Sequence, residues 1–167
     1  MTDEEDLLEA VRANDDALRR IAWVYGNEDG AEEDLYQEIL TEAWRSLPSF
    51  RGGSAMATWL YRVAINTGLT WRRQMSKHVA GRVPLSVPGE DHGRVIEPAG
   101  AAVTDSGATV LADFLGTLSG ANHTVLLLYM EGLTHKEIAE VTGLSVNAIA
   151  VRIHRMKQSF TERYVEG

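Results

Sequence analysis

Cysteine is absent from the 167 residues, and proline is scarce, with only four residues. Without cysteine the chain can form neither a disulfide framework nor a thiolate metal site, which is consistent with a reducing cytoplasm. Long apolar runs are also missing, since none approaches the ~20 residues that a membrane-spanning helix requires. The first residues, MTDEEDLLEA, are acidic and lack the basic and apolar regions of a signal peptide. We therefore expect a cytoplasmic protein that does not insert into a membrane.

Basic residues are distributed unevenly along the chain. The net charge is −8, which argues at first sight against a nucleic-acid partner. Residues 1–42 carry 14 acidic and 3 basic side chains, whereas the basic stretch, residues 43–82, carries 7 basic side chains and no acidic one. A molecule polarised in this way can present one surface to phosphates and another to a basic protein partner.

Apolar residues at helical spacing predict an all-α protein. Three amphipathic segments occupy the first half; the first covers residues 7–25 and the third ends near Gln74. Prolines and glycines then interrupt the pattern between residues 77 and 107, which indicates a linker that is either flexible or follows the surface of a partner. A linker of this length is unusual inside one compact domain. We therefore predict two small helical domains, residues 1–76 and residues 108–167, on either side of residues 77–107.

The segment after residue 133 has the pattern of a helix-turn-helix. Thr134 followed by Glu137 is a capping box that opens a short helix. Gly143 provides the turn, and Ser145 can cap a longer second helix. Three apolar residues are expected to be buried along that second helix: Val146, Ile149 and Ile153. In such motifs the second helix enters the major groove of DNA. An ordinary helical hairpin is the alternative, and the basic outer face disfavours it.

The outward residues of the second helix are Asn147, Ala150, Val151, His154 and Arg155, with Arg152 and Lys157 available for phosphates. These positions are predicted from helical spacing, because they lie away from the side that carries Val146, Ile149 and Ile153.

The basic stretch is also rich in aromatic side chains. Bases of single-stranded nucleic acid stack on such rings while arginines neutralise the backbone, at ~1–3 kcal/mol per stacked base. Trp44 and Trp59 lie on the apolar faces of their predicted helices, so we expect both to pack in the core. Phe50 lies in a polar turn beside Arg51, where packing explains it less well. Asn66 is explained equally well as a solvated helix residue or as a hydrogen-bond partner of an unstacked base.

Three residues of the acidic half, Asp34, Gln37 and Glu38, fall within about one helical turn and share their helix with an apolar face. A solvated surface is the simplest interpretation. An edge that meets a basic partner is the alternative, and the residues alone leave both open.

No pattern in the sequence predicts catalysis. The five histidines are scattered, and none has metal-ligand spacing with an acidic residue. Neither a nucleotide-binding glycine loop nor a nucleophile motif is present. We therefore expect a protein that is not an enzyme and that needs no metal and no cofactor.

Taken together, the motifs resemble the extracytoplasmic-function group of sigma factors, in the sigma-70 superfamily. The segment DLYQEILTEAWRSLPSFRGGSAMATWLYRVAINT is similar to region 2 of this family, and LLLYMEGLTHKEIAEVTGLSVNAIAVRIHRMKQSF is similar to region 4. The two segments in this order are highly specific, and the resemblance covers nearly the whole chain except the linker. It implies that residues 1–76 form a region 2 domain and residues 108–167 a region 4 domain. The implied function is to bind core RNA polymerase and direct promoter-specific initiation.

The resemblance also implies a role for each matching position. Asp34, Gln37 and Glu38 fall where the family contacts the clamp helices of the polymerase β′ subunit. Phe50, Arg51 and Asn66 fall in the stretches that recognise and hold open the −10 element, and the arginines nearby are Arg62, Arg72 and Arg73. Ser145 and the outward residues of the second helix would read the −35 element in duplex DNA. Region 4 of the family also contacts the polymerase β flap.

Several positions depart from the family pattern. Ala150 and Val151 replace residues that are often basic or hydroxylated, and Leu128 replaces a common arginine. The amphipathic helix that usually precedes the equivalent of residues 5–25 is almost missing. Each lost phosphate contact lowers the salt slope of DNA binding by ~0.9. Because Ala150 and Val151 depart from the family pattern in the recognition helix, the −35 sequence is not predicted.

Two other functions stay open at the level of sequence. A stand-alone dimeric regulator explains the helix-turn-helix but neither the acidic edge nor the aromatic, basic stretch. A helical interaction module that has lost DNA binding is favoured by Ala150, Val151 and the negative net charge. For the sigma factor we expect a monomer, with core polymerase and promoter DNA as partners and an anti-sigma factor as a further candidate partner.

Overall fold

The computed structural model describes residues 2–26, 30–80, 106–118 and 120–166. Within these ranges the chain consists of helices and short connections and contains no strand, so the prediction of an all-α protein is confirmed. The chain divides into two compact units, residues 1–85 and residues 86–167. Each unit is described by itself.

The described part of the first unit contains four α-helices and one short 3-10 helix. They are α1 (Asp3–Ala13), α2 (Asp15–Gly26), α3 (Glu32–Ser46), the 3-10 helix Leu47–Ser49 and α4 (Met56–Ala80). The prediction of one segment over residues 7–25 is wrong, because Asn14 divides it. The Asn14 side-chain amide donates to the Ala10 carbonyl at 2.8 Å and closes α1. The Asn14 carbonyl accepts from the Leu18 amide at 3.0 Å and opens α2.

The core of the first unit lies between α2, α3 and α4. Its largest fully buried side chains are Leu18, Ile21, Leu35, Ile39 and Leu60. Burying one such side chain stabilises the fold by ~1.5–3 kcal/mol. Trp59 is 8% exposed, which confirms its predicted place in the core.

Helix α4 extends to Ala80, beyond the end predicted near Gln74. Met75 and Val79 follow Trp71 at a spacing of four residues, so the apolar pattern continues past Gln74 and the predicted end was set too early. The linker predicted for residues 77–107 therefore overlaps the last turn of α4. Residues 81–105 of that linker lie outside the described residues.

A polar cluster joins α2 to α3 at their exposed edge. The Tyr36 hydroxyl donates a hydrogen bond to the Asp15 carboxylate, and Arg19 Nε donates to the same carboxylate at 3.0 Å. The Arg19 guanidinium lies 4.0 Å from the centre of the Tyr36 ring. The hydrogen bonds from Tyr36 and Arg19 lower the pKa of Asp15, while burial and the bond to Asp15 raise the pKa of Tyr36.

The helices described in the second unit are α5 (Ser106–Thr117), α6 (Gly120–Met130), α7 (His135–Thr142) and α8 (Val146–Tyr164). The predicted capping box is confirmed, since Thr134 Oγ1 accepts from the Glu137 amide at 3.2 Å and the Thr134 amide donates to Glu137 at 2.7 Å. Gly143 ends α7 with a φ of +77°, a left-handed conformation that glycine adopts without strain. Ser145 caps α8 by accepting from the Ala148 amide at 3.1 Å.

The core of the second unit is formed by side chains from α5, α6, α7 and α8. Its buried residues include Phe114, Val125, Leu128, Ile138, Ile149 and Ile153. Leu128, at the position where the resemblance expects an arginine, is 0% exposed and is therefore a core residue. Val146 was predicted to be buried, and this is wrong, because it is 49% exposed. It is the first residue of α8 and precedes Ile149, where that helix enters the core.

Candidate protein and nucleic-acid interfaces

The outer face of α3 carries the residues that the sequence singled out as an acidic edge. Asp34, Gln37 and Glu38 are all exposed, whereas Leu35 and Ile39 on the opposite side of the same helix are buried. Gln37 Nε2 lies 3.4 Å from the neighbouring Glu33 carboxylate. The structure therefore brings the three predicted residues together on one accessible surface, and their carboxylates give that surface negative charge.

Trp44 also belongs to the outer face of α3, although the sequence placed it in the core. It is 51% exposed, so that prediction is wrong. The buried stripe of α3 contains Leu35, Ile39 and Ala43 at a spacing of four residues, and residue 44 lies one position beyond it. Trp44 instead follows Gln37 by seven residues, which is two helical turns. The four residues that we call the α3 face are Asp34, Gln37, Glu38 and Trp44. A large exposed ring beside charged residues is typical of a protein-binding surface.

The turn before α4 holds Phe50 and Arg51. Phe50 is half-buried, and its ring centre lies 5.5 Å from that of Trp59. Aromatic pairs at this distance stabilise each other beyond their burial, so Phe50 has a packing role that the sequence did not indicate. Arg51 is exposed beside it.

One side of α4 carries a row of accessible residues. Asn66 and Arg73 are exposed, and Arg62 is half-buried. The spacing of four, three and four residues from Arg62 through Asn66 and Leu69 to Arg73 places them in line along the helix. Leu69, which the sequence analysis missed, is 38% exposed within this row. We call Arg62, Asn66, Leu69 and Arg73 the α4 face.

Arg72 lies away from the α4 face. Its Nη2 donates to the Val24 carbonyl at 3.0 Å, and its guanidinium lies 4.6 Å from the centre of the Tyr25 ring. Both partners belong to α2. Arg62, Arg72 and Arg73 were the arginines predicted near the −10 contacts. Of these, Arg72 packs within the first unit, while Arg73 stays exposed.

The outer face of α8 is accessible along its first three turns. Exposed residues on this face are Asn147, Val151, His154 and Arg155, and Ala150 is half-buried. Exposed Ser145 holds the start of the helix through its cap. These residues form the α8 face. Asparagine side chains such as Asn147 read adenine edges in the major groove, and arginines such as Arg155 bind bases or phosphates, so the α8 face has the chemistry of a DNA-binding surface.

Two predicted phosphate contacts on α8 have partners within the second unit. Arg152 is half-buried, and its Nη1 donates to Asn122 Oδ1 of α6 at 2.7 Å. Lys157 Nζ lies 4.8 Å from the centre of the Tyr129 ring, also in α6. Arg155 lies between them in the sequence and is exposed.

The described residues contain no group of three or more His, Asp or Glu side chains that could hold a metal ion. No helix in the described ranges combines the length and apolar character needed to span a membrane.

Two family models match this chain. The model for Sigma-70 region 2 matches residues 10–78, and the model for Sigma-70, region 4 matches residues 109–167. The first match takes in α2, α3 and most of α4. The second takes in most of α5 and all of α6, α7 and α8.

Named relatives match over three quarters of the chain. The ECF RNA polymerase sigma-E factor of Haemophilus influenzae is 30% identical over 132 residues, which cover 75% of this chain and 70% of that protein. The RNA polymerase sigma-H factor of Pseudomonas aeruginosa is 32% identical over 134 residues, which cover 76% of this chain and 69% of that protein.

Solved structures match at the level of the fold. The sigma factor RpoE of Bartonella quintana, solved in complex with the anti-sigma factor NepR, has a TM-score of 0.67 at 23% identity, over 95% of this chain and 94% of that chain. CnrH, solved in complex with the cytosolic domain of CnrY, has a TM-score of 0.64 at 22% identity, over 93% of this chain and 85% of that chain.

Proposed function

The chain belongs to the extracytoplasmic-function sigma factors, and on that premise we propose which of its surfaces bind core RNA polymerase and which bind promoter DNA. A sigma factor is a transcription-initiation factor that directs core polymerase to specific promoters and has no enzymatic activity of its own. This function accounts for both units of the chain. A stand-alone helix-turn-helix regulator would account for the second unit only, and the region 2 match argues against it.

The α3 face is the proposed contact with the clamp of the polymerase β′ subunit. The observation that carries this proposal is that Asp34, Gln37 and Glu38 are exposed together on the side of α3 that faces away from buried Leu35 and Ile39. Carboxylates on this face attract a basic partner surface and speed its association. Trp44 adds the large apolar area that binding hot spots need.

The α4 face and the turn before it form the proposed −10 interface. Arg62 and Arg73 supply positive charge for the backbone of an opened strand, and Asn66 between them can pair with the edge of an unstacked base. Arg51 is accessible at the turn, where Phe50 is packed against Trp59. Arginines beside aromatic rings are the usual means of holding single-stranded DNA.

The α8 face is the proposed reader of the −35 element. A recognition helix capped by Ser145 places Asn147, Val151 and Arg155 along the major groove, with the N-terminal residues nearest the bases. We further propose that the second unit contacts the polymerase β flap.

Residues 1–76, 77–107 and 108–167 are the proposed region 2 domain, linker and region 4 domain. The two solved relatives named above were each bound to a second protein, an anti-sigma factor in the case of RpoE. We therefore propose that a protein of that class also holds this chain in the cytoplasm, as a monomeric sigma factor, until it is released to the polymerase.

The test is transcription in vitro from a genomic promoter library, with purified core polymerase in the presence and absence of the full chain. New specific starts support the function, and their shared upstream sequences define the −10 and −35 elements. A chain that neither binds core polymerase nor produces starts contradicts it.

Two exposed asparagines give matched variants for the DNA surfaces. Asn66→Ala is expected to slow strand opening, and a template already unpaired at the −10 element should restore its activity. Asn147→Ala is expected to weaken the preference for the −35 element, and the unpaired template should not restore it. Unchanged transcription from both Asn66→Ala and Arg155→Gln would instead support an interaction module that has lost DNA binding.

A further inference from the structure

We infer that Arg152 is a positioning residue that fixes the rotation of the recognition helix, and that Arg155 is the phosphate contact on this side of it. The inference rests on the proposed function of the α8 face. Arg152 Nη1 donates to Asn122 Oδ1 at 2.7 Å, across 30 residues of sequence. This distance is at the short end for a hydrogen bond from a charged donor. Arg152 therefore ties α8 to the first turn of α6.

The apolar contacts of α8 are less directional than its hydrogen bond to α6. Ile149, Ile153 and Met156 bury α8 against the rest of the second unit, but hydrophobic contacts are non-directional. A hydrogen bond has a preferred angle and distance, so the bond from Arg152 resists rotation about the helix axis. At a helix radius of about 5–6 Å, a rotation of about 20° moves an outward side chain by ~2 Å. A base contact, which needs its two atoms within ~3.2 Å, is lost by such a shift.

A groove of about 500 Å³ runs along this flank of α8. Its polar lining consists of Asn122, Arg152, Arg155 and Ser159, with no acidic side chain. Val151 and Arg155 belong both to the groove and to the α8 face, so the groove is continuous with the proposed DNA surface. Because Arg152 is half-buried and its Nη1 is held by Asn122, exposed Arg155 is the more accessible cation for a phosphate at this edge.

The test uses the full chain assembled with core polymerase, on a promoter found by the library experiment and on the same promoter with a scrambled −35 element. Binding is measured between about 50 and 200 mM salt, which gives the salt slope, and the two promoters give the −35 preference. Arg155→Gln should lower the slope by ~0.9, the value for one phosphate contact. Arg152→Gln should leave the slope unchanged and reduce the −35 preference about tenfold, the effect of one mismatched base pair.

Asn122 provides the control, because it has no proposed contact with DNA. Asn122→Ala should reduce the −35 preference as much as Arg152→Gln, and the double variant should be no worse than either single one. Asn122→Asp keeps an acceptor for Arg152 and should retain the preference. A role in stability alone would lower the melting temperature of these variants without changing the −35 preference, and that result overturns the inference.

A slope reduced by ~0.9 in Arg152→Gln also overturns the inference, because it makes Arg152 a phosphate contact. If Arg152→Gln unfolds at the assay temperature, the comparison of Asn122→Ala with Asn122→Asp decides. Failure of the proposed function can be told apart from failure of this inference, because the unmodified chain would then give no polymerase-dependent transcription starts.

Discussion

Gly68 of α4 lies against the ring of Tyr25 in α2, so close that a Cβ on residue 68 would stand 2.6 Å from Tyr25 Cδ2 and 2.8 Å from Cγ. Real Cβ atoms essentially never come this near. Tyr25 is only 5% exposed, and the Arg72 guanidinium lies 4.6 Å from the centre of its ring. The ring therefore has little room to move aside. Glycine at residue 68 is what allows α2 and α4 to pack this closely.

Gly68→Ala is expected to destabilise the first unit. Overpacking of a core costs about 1–3 kcal/mol, and the better helix propensity of alanine offsets about 1 kcal/mol of this. All four tryptophans lie between residues 23 and 71, so denaturant unfolding followed by tryptophan fluorescence reports on this unit. Gly53→Ala is the control, because a Cβ there meets no atom within 4 Å. Equal or higher stability of Gly68→Ala would contradict the packing argument.

Trp44→Ala is expected to weaken binding to core polymerase at least tenfold. Hot-spot aromatic residues contribute about 2 kcal/mol or more when truncated, whereas an exposed side chain contributes little to folding. The free energy of unfolding should therefore stay nearly unchanged. Trp23→Ala, at a residue 37% exposed on α2, is the matched control. An affinity that is unaffected by Trp44→Ala, or reduced equally by both substitutions, would exclude Trp44 from the contact with core polymerase.

Local signals predicted the helix-turn-helix well, because its determinants are close in sequence. Thr134 and Glu137 form the capping box across three residues, and Gly143 supplies the left-handed turn. Ile149 follows Ser145 by one helical turn and is buried. Each of these features depends on backbone geometry and side-chain chemistry within a few residues.

Tertiary contacts decided the residues that the sequence misplaced. Trp44 and Val146 both lie beside a buried stripe, and hydrophobicity alone does not say which neighbour a second helix will cover. Arg72 and Arg73 are adjacent and chemically identical, yet Arg72 binds Val24, which is 48 residues away. Asn122 and Arg152 meet across 30 residues. Such partners are set by how the helices pack, so local patterns did not reveal them.

The hydrogen bond from Tyr36 to the Asp15 carboxylate should make the stability of the first unit depend on pH. Because the hydrogen bonds from Tyr36 and Arg19 lower the pKa of Asp15 in the folded state, the contribution is present above the unfolded pKa of about 3.9. It is lost as the pH falls through the lower folded pKa. Tyr36→Phe should raise the pKa of Asp15, as measured by NMR titration of its carboxyl carbon. Tyr164→Phe removes a tyrosine bonded to Asp113 and should leave Asp15 unchanged.

An unchanged pKa of Asp15 in Tyr36→Phe would show that Arg19 alone holds the carboxylate. The two contributions can be separated with Arg19→Gln, which removes the charge and the 3.0 Å bond from Nε but keeps the Tyr36 hydroxyl. Because Arg19 lowers the pKa of Asp15 through this bond and through its charge, the pKa of Asp15 should also rise in this variant.

Ser145 is expected to have two separable roles at the start of α8. Ser145→Ala removes the 3.1 Å cap to Ala148 and should lower the stability of the second unit by about 1 kcal/mol, measured by hydrogen exchange of the α8 amides. Ser145→Asp keeps a capping oxygen but places a negative charge beside the phosphates, so it should retain protection and weaken binding to the −35 element. Ser159→Ala, within the helix, should not lower protection. Full DNA binding by Ser145→Asp would place Ser145 outside the −35 interface.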